Sequence, residues 1–222
     1  MSAKAPAADS FFMPVRFAVM REDLPAEVFM SFASDADVQS VKRWRVSPRL
    51  RTNMSMHARA ADACEFAKLA AKRWRHYRDT RTFAASLEAL HHLISADQHG
   101  EYCFHLKITA DWFPGILGAA MVRRTWCHHL MIDFLFVHPD ICGKLVGIKT
   151  VGLQILQAIC LLARELGCKR VWGEATLDSA SFYQRQLGKL VEDHFAIEKR
   201  EIARFARRLQ SFSKAGLNPK KV

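Results

Sequence analysis

Several things are scarce in this chain of 222 residues, and each scarcity narrows what it can be. No apolar run reaches the roughly 18 residues that a membrane-spanning helix requires, so a membrane partner is not expected. The first residues lack a charged n-region followed by an apolar core, so no secretory pattern is read there and a cytoplasmic location is the expectation. The six cysteines (Cys64, Cys103, Cys127, Cys142, Cys160, Cys168) show no paired spacing, which favours reduced thiols over a disulfide framework. Cys127-His128-His129 has neither a Cys-x-x-Cys nor a helical histidine pair to complete four ligands, so no metal is expected. Internal repeats and low-complexity tracts are also missing.

Acidic residues are scarce as well. Asp and Glu number 22 against 33 Lys and Arg, a formal net charge of +11. The imbalance is uneven: twelve basic residues between Lys42 and Arg81 face only Asp62, Glu65 and Asp79, and eight more from Lys199 onward face only Glu201. Such clusters favour an anionic partner, whether nucleic acid, a CoA-type molecule or an acidic substrate, although a solvated helix face explains most of them. Lys68, Lys72 and Arg75 fall at three-to-four spacing, with Trp74 or Tyr77 available to stack on bases.

What is present is an ordinary apolar half and a clear order of periodicities. Residues 1–12 read as a disordered N-terminus. Met13 to Met20 alternates as a strand, and a short helix or loop follows Arg21–Pro25. His57 to Arg78 repeats Ala60, Ala63, Cys64, Ala67, Ala70, Ala71 and Trp74 as a helix, and Thr80 or Thr82 opens another with Phe83, Leu87, Leu90 and Ile94 buried. Tyr102–Thr109, Ile116–Trp126 and Leu130–His138 form an antiparallel meander by their short connections. From Gly147 to Leu166 the apolar set fits a helix ended by Gly167; Lys169–Thr176 is the next strand and Ser179–Leu187 a short helix ended by Gly188. A domain over 13–197, with its core at 102–197, is expected, followed by a basic helical tail over 198–222.

The turn Cys142-Gly143-Lys144-Leu145-Val146-Gly147, between a strand carrying Asp133 and a helix N-terminus, is a candidate phosphate site, because such a turn feeds backbone N–H groups toward an anion. Asp133, an acid inside an apolar strand, is a candidate base, with an ion pair to Arg123 or Arg124 as the equal alternative; His138 and Glu174 are the other candidates. Tyr183 lies beyond the second strand, where ligands collect in α/β sheets.

This order, with Ile132-Asp133-Phe134-Leu135-Phe136-Val137-His138-Pro139-Asp140, Gly143-Lys144-Leu145-Val146-Gly147 and Ala180-Ser181-Phe182-Tyr183-Gln184-Arg185-Gln186-Leu187-Gly188, resembles the GNAT superfamily of CoA-dependent N-acyltransferases. The resemblance covers about residues 102–197. It implies an α/β fold in which a mixed sheet runs from antiparallel meander into a strand-loop-helix-strand crossover, with a helical N-terminal elaboration. It implies transfer of an acetyl group from acetyl-CoA to a primary amine in a ternary complex, the amine belonging to a small molecule, peptide or aminoacyl-tRNA, and it leaves room for a homodimer. By that resemblance Leu135, Phe136 and Val137 would line the pantetheine arm, Cys142 through Ile148 would hold the phosphates, and Thr176 stands where the family often has asparagine. Tyr183 would protonate the departing sulfur. Cys142 and Leu145 replace the family's loop Arg/Gln and first glycine, which favours a second reading, a degenerate module that binds nucleic acid or an acidic partner.

Overall fold

The computed structural model describes residues 15–216, and side chains through Leu209. The expected disordered N-terminus at 1–12 and the end of the basic tail, 217–222, lie outside the described residues.

The described residues open with a hairpin, β1 (Val15–Arg21) and β2 (Leu24–Phe32), where a short helix or loop was expected after Arg21–Pro25. Glu22 and Asp23 both have positive φ, 50° and 64°, giving the doubly left-handed two-residue turn whose twist matches paired strands. Helix α1 (Asp35–Lys42) follows, started by a reciprocal Ser34–Asp37 capping box. A 3-10 turn at Pro48–Leu50 leads into α2 (Met54–Asp79), whose expected stripe of small residues is buried as read. Alanine on that stripe lets α2 lie close on the sheet against Cys103, Ala119, Met121 and Phe136.

The expected helix from Thr80 or Thr82 begins later. Phe83 belongs to β3 (Phe83–Ala84), parallel to the next strand, and α3 (Leu87–Ala96) starts at the Ser86 cap. β4 (Tyr102–Ala110), β5 (Phe113–Arg124) and β6 (His129–Val137) form the antiparallel meander. After β6 come a short helical turn, α4 (Pro139–Cys142), and a two-residue strand, β7 (Ile148–Lys149), which pairs with Met20 and Arg21 of β1. Only then does α5 (Val151–Glu165) begin, four residues beyond the expected start at Gly147.

β8 (Arg170–Glu174) runs parallel to β6, completing the expected crossover; α6 (Leu177–Leu187) and β9 (His194–Glu198) follow. The last helix, α7 (Lys199–Gly216), buries Ile202, Phe205, Ala206 and Leu209 in the main core with α5 and β1. One sheet, ordered β7-β1-β2-β4-β5-β6-β8-β9 with β3 on β4, carries α1 and α2 on one face and α5 and α7 on the other. This is the expected mixed sheet, an antiparallel meander running into a strand-loop-helix-strand crossover.

Candidate active site

The site arises where β6 and β8 part. Their parallel ladder runs from His129↔Arg170 to Ile132↔Gly173 and stops, while β6 continues to Val137. The far half of β6 therefore has one neighbour, β5, and one open edge. His138 donates its N–H to Leu117 O of β5 at 2.8 Å, and pairing alternates along an antiparallel strand. The N–H groups of Leu135 and Val137 thus face the opening. An unpaired strand edge accepts another extended chain by main-chain hydrogen bonds.

A cavity of about 330 Å³ occupies this opening. Leu135, Phe136, Val137 and Cys142 form one wall, α2 supplies Arg59, Asp62, Ala63 and Phe66, and α6 supplies Ser179, Ser181, Phe182 and Arg185 behind Thr176 and Asp178. Leu135 and Val137 point toward Gly152 at the start of α5, and Phe136 packs toward α2.

N–H groups expected to cradle phosphate are consumed within the chain: Gly143 donates to Pro139 O, Lys144 to Ile141 O, Leu145 to Asp140 O and Ile148 to Val146 O. Gly147 lies at the β1–β2 turn, where its carbonyl accepts from Glu22 N at 2.7 Å. The helix N-terminus is instead at Thr150, whose φ of 70° turns the chain and whose side chain makes no cap. The first-turn N–H groups of α5, from Val151, Gly152 and Leu153, precede the first helical bond, Gln154 N to Thr150 O. Uncapped, they form the positive end of a 15-residue helix beside the open edge of β6.

The candidate catalytic side chains separate. Asp133 is wholly buried and both oxygens are occupied: Arg123 binds them at 2.6 and 2.8 Å and Arg73 adds 2.8 Å. Burial pulls the Arg123 pKa down, but bonding to Asp133 and Glu101 more than reverses this. The ion-pair alternative describes Asp133. His138 accepts from Asp140 N–H at 3.3 Å, its ring lies between Trp44 and Phe113, and burial lowers its pKa; it does not line the cavity. Glu174 is exposed, opposite His194 on β9. Tyr183 turns inward from α6 and stacks on Phe195, ring centroids 3.8 Å apart, and burial raises its pKa far above the usual phenol range. Phe195 in turn lies against Gly173, where a Cβ would stand 2.8 Å from Ile132 O. Tyr183 thus fastens α6 to β8 and β9, while its neighbour Phe182 faces the cavity.

Cys142 lines the cavity, but its thiol bonds Val137 O at 3.4 Å and burial raises its pKa to about 11. Thr176 caps α6 reciprocally with Ser179. Asp62 and Asp178, facing each other from α2 and α6, were not singled out from the sequence. Burial, then the proximity of Asp178, raises the Asp62 pKa. Their separation by 116 residues leaves no local signal; only the packing of α6 near α2 joins them.

On the basic surface, Trp74 is buried and donates to Asp35 at 2.6 Å, Tyr77 donates to Glu101, and Lys68 pairs with Glu65. The expected stacking platform is therefore spent on the fold. Among the described residues there is no cluster of three or more His, Cys, Asp or Glu able to hold a metal ion, and no helix long and apolar enough to cross a membrane.

No protein-family model and no curated protein matches the sequence. Solved structures do. PaiA N-acetyltransferase from Thermoplasma acidophilum, in complex with coenzyme A, is 12% identical over 77% of this chain and 98% of its own, with a TM-score of 0.45. A GNAT-family acetyltransferase from Staphylococcus aureus Mu50 is 9% identical over 76% and 97%, with a TM-score of 0.42. Nourseothricin acetyltransferase reaches 21% identity over 37% of this chain, but the match spans only 48% of that protein, with a TM-score of 0.32. All three TM-scores lie below 0.5, and the site rests on this chain's own residues.

Proposed function

We propose that the protein is an acyltransferase that uses acetyl-CoA and passes the acetyl group to a primary amine while both are bound. The observation that carries this is the open edge of β6 beside the uncapped N-terminus of α5. An extended amide-bearing arm is what such an edge pairs with, and a phosphate is what such a helix end attracts. In acetyl-CoA the two features are joined. The N–H groups of Leu135 and Val137 hold the arm, and one of them is placed to stabilise negative charge on the thioester oxygen as the amine attacks. Val151, Gly152 and Leu153 present N–H groups to the phosphates, the role first assigned to Cys142 through Ile148.

The amine must shed a proton at neutral pH. Asp62, the cavity carboxylate with raised proton affinity, receives it, directly or through water; as the C–N bond forms the C–S bond breaks, and CoA leaves as a thiolate that takes a proton back from Asp62 or from water. Asp133 and Tyr183 serve the site from behind: Asp133 fixes Arg73 and Arg123, and Tyr183 holds α6 apart from β6. A cavity walled by α2 and α6 beside the open edge of β6 leaves room for an acceptor next to the arm, which supports direct transfer in a ternary complex. Calorimetric titration with acetyl-CoA tests the reading. Binding of about one equivalent, lost in Gly152→Asp, is expected; no heat of binding at millimolar ligand would refute it.

A further inference from the structure

A second cavity, of about 510 Å³, lies farther along α2 and is lined by Leu69, Lys72, Arg73, His76, Tyr77, Arg123 and Phe134. No carboxylate lines it. The two nearest acids are committed elsewhere: Asp133 to Arg123 and Arg73, Glu101 to Tyr77 and Arg123. Those two acids balance the two arginines. Lys72 and His76 are exposed, and their side chains have no hydrogen bond or ion pair among the described residues, so the cavity retains uncompensated donors.

The two cavities share one groove. On α2, residues 59, 62, 63 and 66 line the first, and residues 69, 72, 73 and 76 line the second, a single stripe at helical spacing. On β6, Leu135 to Val137 face the first and Phe134 the second. Phe66 and Phe134 meet between them, ring centroids 6.0 Å apart, as an apolar saddle. Ten residues separate Ala63 from Arg73, so the two ends lie roughly 15 Å apart along the helix axis. An extended peptide covers that distance in about four to five residues.

We infer that the groove between α2 and β6 binds an extended acceptor peptide, with its free amine at the transfer cavity and a carboxylate of its fourth or fifth residue between Lys72, Arg73 and His76. The inference rests on the acyl-transfer reading for the role of the amine, but not for the anion end. Arg73 already lies over Phe134, its guanidinium carbon 5.3 Å from the ring centroid, which holds the fork beside the apolar saddle.

The test is fluorescence anisotropy without acetyl-CoA, using free-amine alanine pentapeptides labelled at the C-terminus. Positions 4 and 5 carry glutamate, alanine or lysine. The glutamate peptide should bind about tenfold tighter than the alanine one, the scale of one charge-assisted contact, and lose that margin at high salt. Lys72→Glu with His76→Glu should reverse the order so that the lysine peptide binds best, and both positions are exposed enough to keep the fold. Equal binding of all three peptides, or an unchanged preference in the double variant, would overturn the inference. So would a short RNA displacing the glutamate peptide with higher affinity. Because the anisotropy needs no acyl donor, a glutamate preference that persists in a protein showing no heat of binding with acetyl-CoA would sink the acyl-transfer reading and leave the anion site standing.

Discussion

Replacing Asp133 with asparagine separates two roles that one carboxylate in a conserved volume could play. Asparagine keeps the shape but not the charge. Three charge-assisted bonds, at 2.6, 2.8 and 2.8 Å, converge on a side chain with 0% exposure. Removing one partner of a buried pair costs about 3–5 kcal/mol, because the other charge stays buried and uncompensated. Here Arg73, 43% exposed, rehydrates at little cost, and Arg123 keeps Glu101 at 3.0 Å. The low end, about 3 kcal/mol, is therefore expected. For a chain of this length that lowers Tm by about 6–12 °C.

Urea unfolding at neutral pH measures this directly, with turnover recorded under conditions where the variant is folded. A general base replaced by its amide would instead leave stability nearly intact and cost about a hundredfold or more in rate. Asp133→Asn within about 1 kcal/mol of the parent but without activity would refute the structural role. Arg73→Gln is the control: the carboxylate keeps Arg123, so a loss of at most about 1 kcal/mol is expected.

His105 should give the protein an acid-side stability limb. Burial lowers its pKa to about 4, and both ring nitrogens lack hydrogen-bond partners. Between pH 6.5 and 4 the unfolded chain then binds the proton that the folded chain refuses, so stability falls as pH falls, by about 2 kcal/mol from pH 7 to 5. His105→Leu should flatten that limb in denaturant titrations at the two pH values; an unchanged slope would acquit His105. Gly152→Asp should leave Tm unchanged or slightly raised, since an acid suits a helix N-terminus, while abolishing acetyl-CoA binding through repulsion of the phosphates. Retained affinity in calorimetry would move the phosphates elsewhere. Tyr183→Phe keeps the ring stack on Phe195 and should change turnover by less than about twofold, whereas loss of a general acid costs on the order of a hundredfold. A stopped-time assay of thiol release decides between them.

Where the sequence misled, the cause is local and physical. Strand alternation and the α2 and α5 stripes were legible because burial imposes their periods on residue choice. Turns are read from glycine, and here the left-handed positions Glu22, Asp23, Lys144 and Thr150 are filled by other residues. That substitution hid β2 and drew the start of α5 back to the visible Gly147, four residues early. The partners of Asp133 were half legible, since Arg123 was among the candidates on the neighbouring strand, while Arg73 comes from a helix 60 residues away. Phe182 and Tyr183 are adjacent on α6, so their sides point about 100° apart on the helix. Which one meets the cavity is decided by Phe195 on β9, which Gly173 admits close to β8.

The same interdependence explains why the opening persists. β8 ends its ladder with β6 at Gly173, and β9 continues to pair with β8 as far as His194↔Glu174. Phe195 fills the space over Gly173, Tyr183 stacks on Phe195, and α6 is thereby fixed to the β8–β9 side rather than collapsing onto β6. On the opposite bank α2 is held to β6 by Arg73 on Asp133 and by the Phe66–Phe134 contact. A cavity between two separately anchored banks loses little stability when emptied, because neither wall depends on an occupant for its packing. Tyr183→Ala should therefore do more than remove a ring. Beyond a truncation cost of about 3–5 kcal/mol, it should release α6 and expose its amides to faster hydrogen exchange, with α2 unaffected. Equal loss of protection in α2 and α6 would show that the two banks form one unit, and that the opening is kept by the core as a whole.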